Sequence, residues 1–76
     1  MFVTVKTLTG HKLSFEVDET MTFKDLKELI SVKEGIEVPQ IRMIFGGHMV
    51  NDLQKICESG IKQTDILYLV LSLRGG

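Results

Sequence analysis

Cysteine is nearly missing from this chain, and with it the support that small domains most often use. Cys57 is the single cysteine among 76 residues, so no disulfide can close within the chain. A structural metal is the usual alternative in a domain of this size. The two histidines, His11 and His48, lie far apart with no cysteine or histidine at ligand spacing, so no metal site is expected. Tryptophan is absent, and so is any excess of charge: nine Lys and Arg stand against ten Asp and Glu, a net charge of −1. That balance argues against nucleic acid as a partner, because phosphate binding needs a clear cationic surplus. Long hydrophobic runs are missing too. The longest, Ile66 to Leu71, falls far short of the ~20 residues a membrane helix requires. Met1 to Lys6 lacks the basic start and long apolar stretch of a signal peptide. No membrane association is expected, and a reducing compartment, cytoplasm or nucleus, is the natural setting.

What is present is a chain of one-domain length, 43% hydrophobic. A chain this short buries only about 60% of the surface its unfolded form exposes, so it must rest on dense apolar packing. Met1, Val3 and Val5 alternate with Phe2, Thr4 and Lys6, the period-two pattern of a strand. Leu8, Thr9 and Gly10 supply a turn. Lys12 to Val17 alternates again, with Leu13, Phe15 and Val17 on one face, which completes an antiparallel hairpin. The period then changes. Thr22 with Asp25 three residues later forms a variant capping box. Phe23, Leu26 and Ile30 make a helical stripe that Leu29 is expected to widen, with Lys24, Lys27, Glu28 and Lys33 facing water. Gly35 is placed to end the helix in a left-handed conformation, and Pro39 prevents its resumption.

Gln40 to Phe45 reads as a third strand. With Ile41, Met43 and Phe45 inward, Gln40, Arg42 and Ile44 point outward. Gly46 and Gly47 form a turn, and Met49 and Val50 a short fourth strand. Ile56 and Ile61 are expected to anchor an irregular connection containing a helical turn. Ile66 to Leu71 is the last strand. With Leu67 and Leu69 inward, Ile66, Tyr68 and Val70 point outward. The order strand, strand, helix, strand, short strand, strand implies a crossover that sets the last strand beside the first. The expected class is α+β, a mixed sheet packed against one main helix in the β-grasp arrangement. Met43 and Met49 are expected to fill the core, Cys57 to be a semi-buried hydrophobe, and His11 and His48 to lie in solvated loops. Ser14 and Ser59 have no triad context. Nothing suggests an enzyme or a cofactor.

Four stretches together carry a family resemblance. Lys6 to Gly10, Lys33 to Ile36, the Arg42, Ile44, Phe45 and Gly47 segment, and Leu67 to Gly76 resemble ubiquitin and the Rub-type modifiers of neddylation, end to end and without gaps. The resemblance implies a domain over residues 1–71 and a flexible conjugation tail over 72–76. It implies adenylation of the Gly76 carboxylate by ATP, transfer to an enzyme thiol, and an isopeptide bond to a target lysine. Gly75 and Gly76 would be the conjugating end. Arg42, Leu71, Ser72, Leu73 and Arg74 would be read by the activating enzyme. Leu8, Ile44, Tyr68 and Val70, with Gly47 nearby, match the family's recognition patch, Tyr68 standing where ubiquitin has a histidine. Ile36 with Leu8, Leu71 and Leu73 matches a second contact surface.

The resemblance also implies the partners: an activating enzyme, a conjugating enzyme, a ligase, a deconjugating protease and target proteins, with the chain itself a monomer. His11, Leu29, His48 and Gln63 occupy positions of chain-forming lysines in ubiquitin, whereas Lys6, Lys27 and Lys33 are retained. Thr4 replaces an aromatic of a further ubiquitin surface. Ser72 stands where ubiquitin has arginine and Rub-type modifiers have alanine. It favours a Rub-type modifier acting on cullin-like ligase subunits, as does Asn51. A divergent ubiquitin, a sulfur carrier, and a noncovalent ubiquitin-like domain remain as alternatives.

Overall fold

Alternation becomes pairing in the first hairpin of the computed structural model, which describes residues 1–62 and 64–71. Strands β1 (Phe2–Lys6) and β2 (Lys12–Glu16) are antiparallel, with Val3 opposite Phe15 and Val5 opposite Leu13. In the turn between them the Gly10 amide donates to the Thr7 carbonyl at 3.0 Å. Gly10 sits at φ 88°, a conformation that only glycine adopts without cost.

Helix α1 (Phe23–Glu34) begins and ends where the capping residues stand. The Asp25 amide donates to Thr22 Oγ1 at 3.3 Å and the Thr22 amide to Asp25 Oδ2 at 3.0 Å. Gly35, at φ 69°, donates its amide to the Ser31 carbonyl. Phe23, Leu26 and Ile30 are fully buried. Two expectations for the helix fail, and for one reason. At 100° per residue, Lys27 lies about 70° to one side of the stripe formed by Phe23, Leu26 and Ile30, and Leu29 about 90° to the other. Leu29 is therefore exposed rather than widening the stripe, and Lys27 is buried rather than facing water. The aliphatic stem of Lys27 follows the core margin and its ammonium reaches Asp52, as lysine stems commonly allow.

The Lys27 side chain is 10% exposed and that of Asp52 47% exposed. Asp52→Ala should leave a nearly buried ammonium without its partner and destabilise the fold by about 1–3 kcal/mol. Urea denaturation reads this as a lower midpoint. An unchanged midpoint would place the pair among those that contribute nothing measurable.

Three more strands complete the sheet: β3 (Ile41–Phe45), β4 (His48–Met49) and β5 (Ile66–Leu71). The order is β2-β1-β5-β3-β4, with β5 parallel to β1 and antiparallel to β3. The last strand thus sits beside the first in the centre, as the crossover requires. Val3, Val5, Met43, Leu67 and Leu69 meet the helix side chains in one core. Ile56 and Ile61 close its far end, Ile56 within a 3₁₀ turn over Ile56–Glu58.

Three positions depart from expectation. The fourth strand is His48–Met49, one residue earlier than the reading from sequence, so His48 is in a strand. Met49 is exposed instead of filling the core. Cys57 is also exposed, its thiol donating to the Glu19 carbonyl at 3.2 Å. Residues 72–76, the expected tail, lie outside the described residues.

Candidate interaction surface

Burial of Leu67 and Leu69 turns Ile66, Tyr68 and Val70 to the other face of β5. Pairing then assembles a row across the sheet. Lys6 of β1 stands beside Tyr68 of β5, Tyr68 beside Ile44 of β3, and Ile44 beside Met49 of β4. Arg42 pairs with Val70 one step along. Neighbouring strands lie about 4.8 Å apart, so these side chains form a continuous surface. Tyr68 is half exposed, and Ile44 and Val70 are half-buried, each leaning on its neighbours. Leu8, on the turn after β1, is 76% exposed.

Ile44, Tyr68 and Val70 thus stand together on one face with Arg42 beside them, whereas Leu8 lies apart on the turn after β1. Gly47 lies in the β3–β4 turn at φ 82°. Leu8, Ile36 and Leu71 share a separate depression of about 160 Å³, which Thr7, Glu34 and Leu69 also line. Of the retained lysines, Lys6 is half-buried on the sheet face and Lys33 is exposed, its ammonium 5.5 Å from the Phe15 ring centroid. Lys27 is withdrawn into its ion pair and offers a poor nucleophile to any acyl donor. Ser72, Leu73, Arg74, Gly75, Gly76 and Gln63 lie outside the described residues.

Two further exposed apolar side chains lie on this face: Met49, expected in the core, and Phe2, which the alternation along β1 turns outward. Met49 extends the row to the sheet edge, and Phe2 stands opposite Glu16 at the far corner. The signal for Met49 was in the turn. A two-residue Gly46-Gly47 loop pairs Phe45 with His48 and Ile44 with Met49, and directly opposed residues share a face.

A larger depression of about 410 Å³ lies elsewhere, bordered by Met1, Val17, Asp18, Glu19, Ile56 and Cys57. The Asp18 carboxyl there is held below the usual carboxylate range by hydrogen bonds from the Thr20 hydroxyl and amide. Those bonds shape the turn into α1. Among the described residues no group of three or more His, Cys, Asp or Glu could hold a metal ion. No described helix is long and apolar enough to cross a membrane.

A five-stranded mixed sheet packed on one main helix, with a row of apolar side chains across its outer face, defines a β-grasp domain. The chain belongs to the ubiquitin family, whose model matches residues 3–74. It is 42% identical over 76 residues to ubiquitin-like protein NEDD8 of Dictyostelium discoideum, covering 100% of this chain and 99% of the relative. It is equally identical, with the same coverage, to NEDD8-like protein RUB1 of Saccharomyces cerevisiae. NEDD8-like protein RUB3 of Arabidopsis thaliana is 36% identical over 76 residues, covering 100% of this chain and 97% of that protein.

Proposed function

We propose that this chain is a Rub-type protein modifier, a substrate of conjugating enzymes and not itself an enzyme. The observation that carries this reading is the match over the whole of this chain and nearly the whole of each relative to NEDD8 and RUB proteins. The carboxyl group of Gly76 would be adenylated by ATP, passed to an enzyme thiol as a thioester, and joined to a target lysine. Gly75 and Gly76 carry no side chain, which suits entry into a narrow enzyme channel. Arg42 and Leu71, with Ser72, Leu73 and Arg74, would engage the activating enzyme. The patch of Leu8, Ile44, Tyr68 and Val70 would dock onto conjugating enzymes, ligases and proteases. Cullin-like ligase subunits are the proposed targets, in cytoplasm and nucleus.

The peptide chemistry supplies a direct test. Trypsin cleaves after Arg74, so a conjugated lysine would retain Gly75 and Gly76 as a branch. An N-terminally tagged chain, purified under denaturing conditions from cells and digested, should yield such branched lysines on target proteins. Branches on the chain's own lysines should be rare, because His48 and Gln63 cannot form isopeptide bonds and Lys27 is buried. Abundant branches on Lys6 or Lys33 would favour a divergent ubiquitin instead. Absence of branched target lysines from captured conjugates would remove the modifier reading.

A further inference from the structure

The two edges of the sheet differ. The β4 edge is two residues long, whereas β2 is a five-residue strand in unbroken register with β1 and contains no proline. Short length, bulges, proline and charge are the usual protection of an open edge, and β2 has only charge. Met1 and Val17 exchange both backbone hydrogen bonds, the Met1 ammonium donating at 3.2 Å and the Val17 amide at 2.8 Å. Bonded and unbonded pairs alternate along an antiparallel ladder, so Leu13 and Phe15 are the residues of β2 that bond to β1. The amides and carbonyls of Lys12, Ser14 and Glu16 therefore point away from the sheet. Among the described residues no other strand lies beside them.

That edge is complementary to itself. Turned end for end about Ser14, β2 sets Lys12 against Glu16 of a second copy, Leu13 against Phe15, and Ser14 against Ser14. Residues with outward backbone groups then meet residues with outward backbone groups. Within one chain these charges are poorly placed: Lys12 stands opposite Lys6, and Glu16 opposite Phe2. Among the described residues neither has an ion-pair partner. Opposite charges facing each other across a ladder are favourable and like charges unfavourable. A shift of two residues in either direction would set a charge against Ser14, so one alignment is preferred.

We propose that β2 is a self-association edge, through which two copies pair antiparallel and join their five-stranded sheets into one. The half-buried Leu13 of each copy gains the Phe15 of the other as an apolar neighbour. So short an edge buries far less than the ~1,200 Å² of a stable complex, so the pairing is weak and forms at high local concentration. It departs from the monomer that the family resemblance implies, and it leaves the face around Ile44 open in both copies.

The test is sedimentation velocity of the untagged full chain, raised to about 1 mM, where weak complexes populate. The sedimentation coefficient should rise with concentration, and the amide signals of Lys12, Ser14 and Glu16 should shift while that of Tyr68 stays in place. Lys12→Glu and Glu16→Lys, both at exposed positions, should leave the thermal midpoint nearly unchanged. Each alone should weaken association about tenfold or more, because like charges then face each other at both ends of the junction. An equimolar mixture of the two variants should recover it, since every lysine again faces a glutamate. A sedimentation coefficient independent of concentration would overturn self-association. A mixture no tighter than either variant alone would overturn the β2 register. Protection of the Lys12, Ser14 and Glu16 amides only when an extended segment of another protein is added would assign the edge to that chain and overturn pairing between copies.

Discussion

A chain ending at Arg74 should form no covalent adduct in lysate, yet unfold at the same urea concentration as the full chain. The two halves of that expectation have separate causes. The core is built from side chains between Val3 and Leu69, and glycines contribute no side chain to it, so their removal should cost the fold little. Conjugation, by contrast, requires a carboxyl group at the end of a segment thin enough to reach an enzyme's nucleotide and thiol. Arg74 would present a bulky, charged residue at that end. Loss of every adduct, with an unchanged midpoint and slope, would tie the chemistry to Gly75 and Gly76. Conjugates that persist at normal abundance would place the reactive group elsewhere.

The second large effect belongs to the core. Leu67 is fully buried in the central strand, beside Val5 of β1, one pleat from Leu69 and its neighbour Met43. Leu67→Ala should destabilise the fold by about 2–5 kcal/mol, the cost of lost burial plus a cavity the rigid sheet cannot close. A small domain has only about 5–15 kcal/mol in total, so the variant should sit near its unfolding transition. Tyr68, the next residue, is half exposed on the opposite face, and Tyr68→Ala should move stability by only about 0.5 kcal/mol. Ile44→Ala should fall between them, because Ile44 is half-buried against Tyr68 and Met49. Equal losses at Leu67 and Tyr68 in urea denaturation would mean that the two faces of β5 are not energetically distinct.

Local chemistry made much of this legible in the sequence. Thr22, Asp25 and Gly35 mark the helix ends through backbone hydrogen bonds within a few residues, and the structure places both caps where those residues stand. Parity within β5 separates core from surface for the same reason, since Leu67 and Leu69 must leave Tyr68 and Val70 on the other side. Harder to read were features fixed by distant neighbours. Lys27 sits at the flank of the buried stripe, where helical angle alone leaves a side chain's exposure open, and Asp52, twenty-five residues away, receives its ammonium there. Met49 reads as a core residue by its type, although the turn register decides its face. Cys57 lies where no periodic pattern exists, and its contact with the Glu19 carbonyl is a product of tertiary folding. The patch was visible residue by residue through family resemblance; its continuation to the sheet edge needed the pairing of β3 with β4.

Ser72 provides the most direct test of the assignment to the Rub type. Arginine at this position would offer a rigid fork of donors for carboxylate recognition, whereas serine offers one hydroxyl on a short stem. Loss of a charge-assisted contact lowers activation by roughly ten- to a hundredfold, and an activating enzyme that excludes arginine would accept serine without that loss. The decisive measurement is ATP-dependent charging of purified neddylation-type and ubiquitin-type activating enzymes, followed as a thiol-sensitive adduct. Wild-type chain should load the neddylation-type enzyme in strong preference, and Ser72→Arg should reverse the order. Equal or better loading of the ubiquitin-type enzyme by wild type would contradict the Rub assignment and leave a divergent ubiquitin in its place.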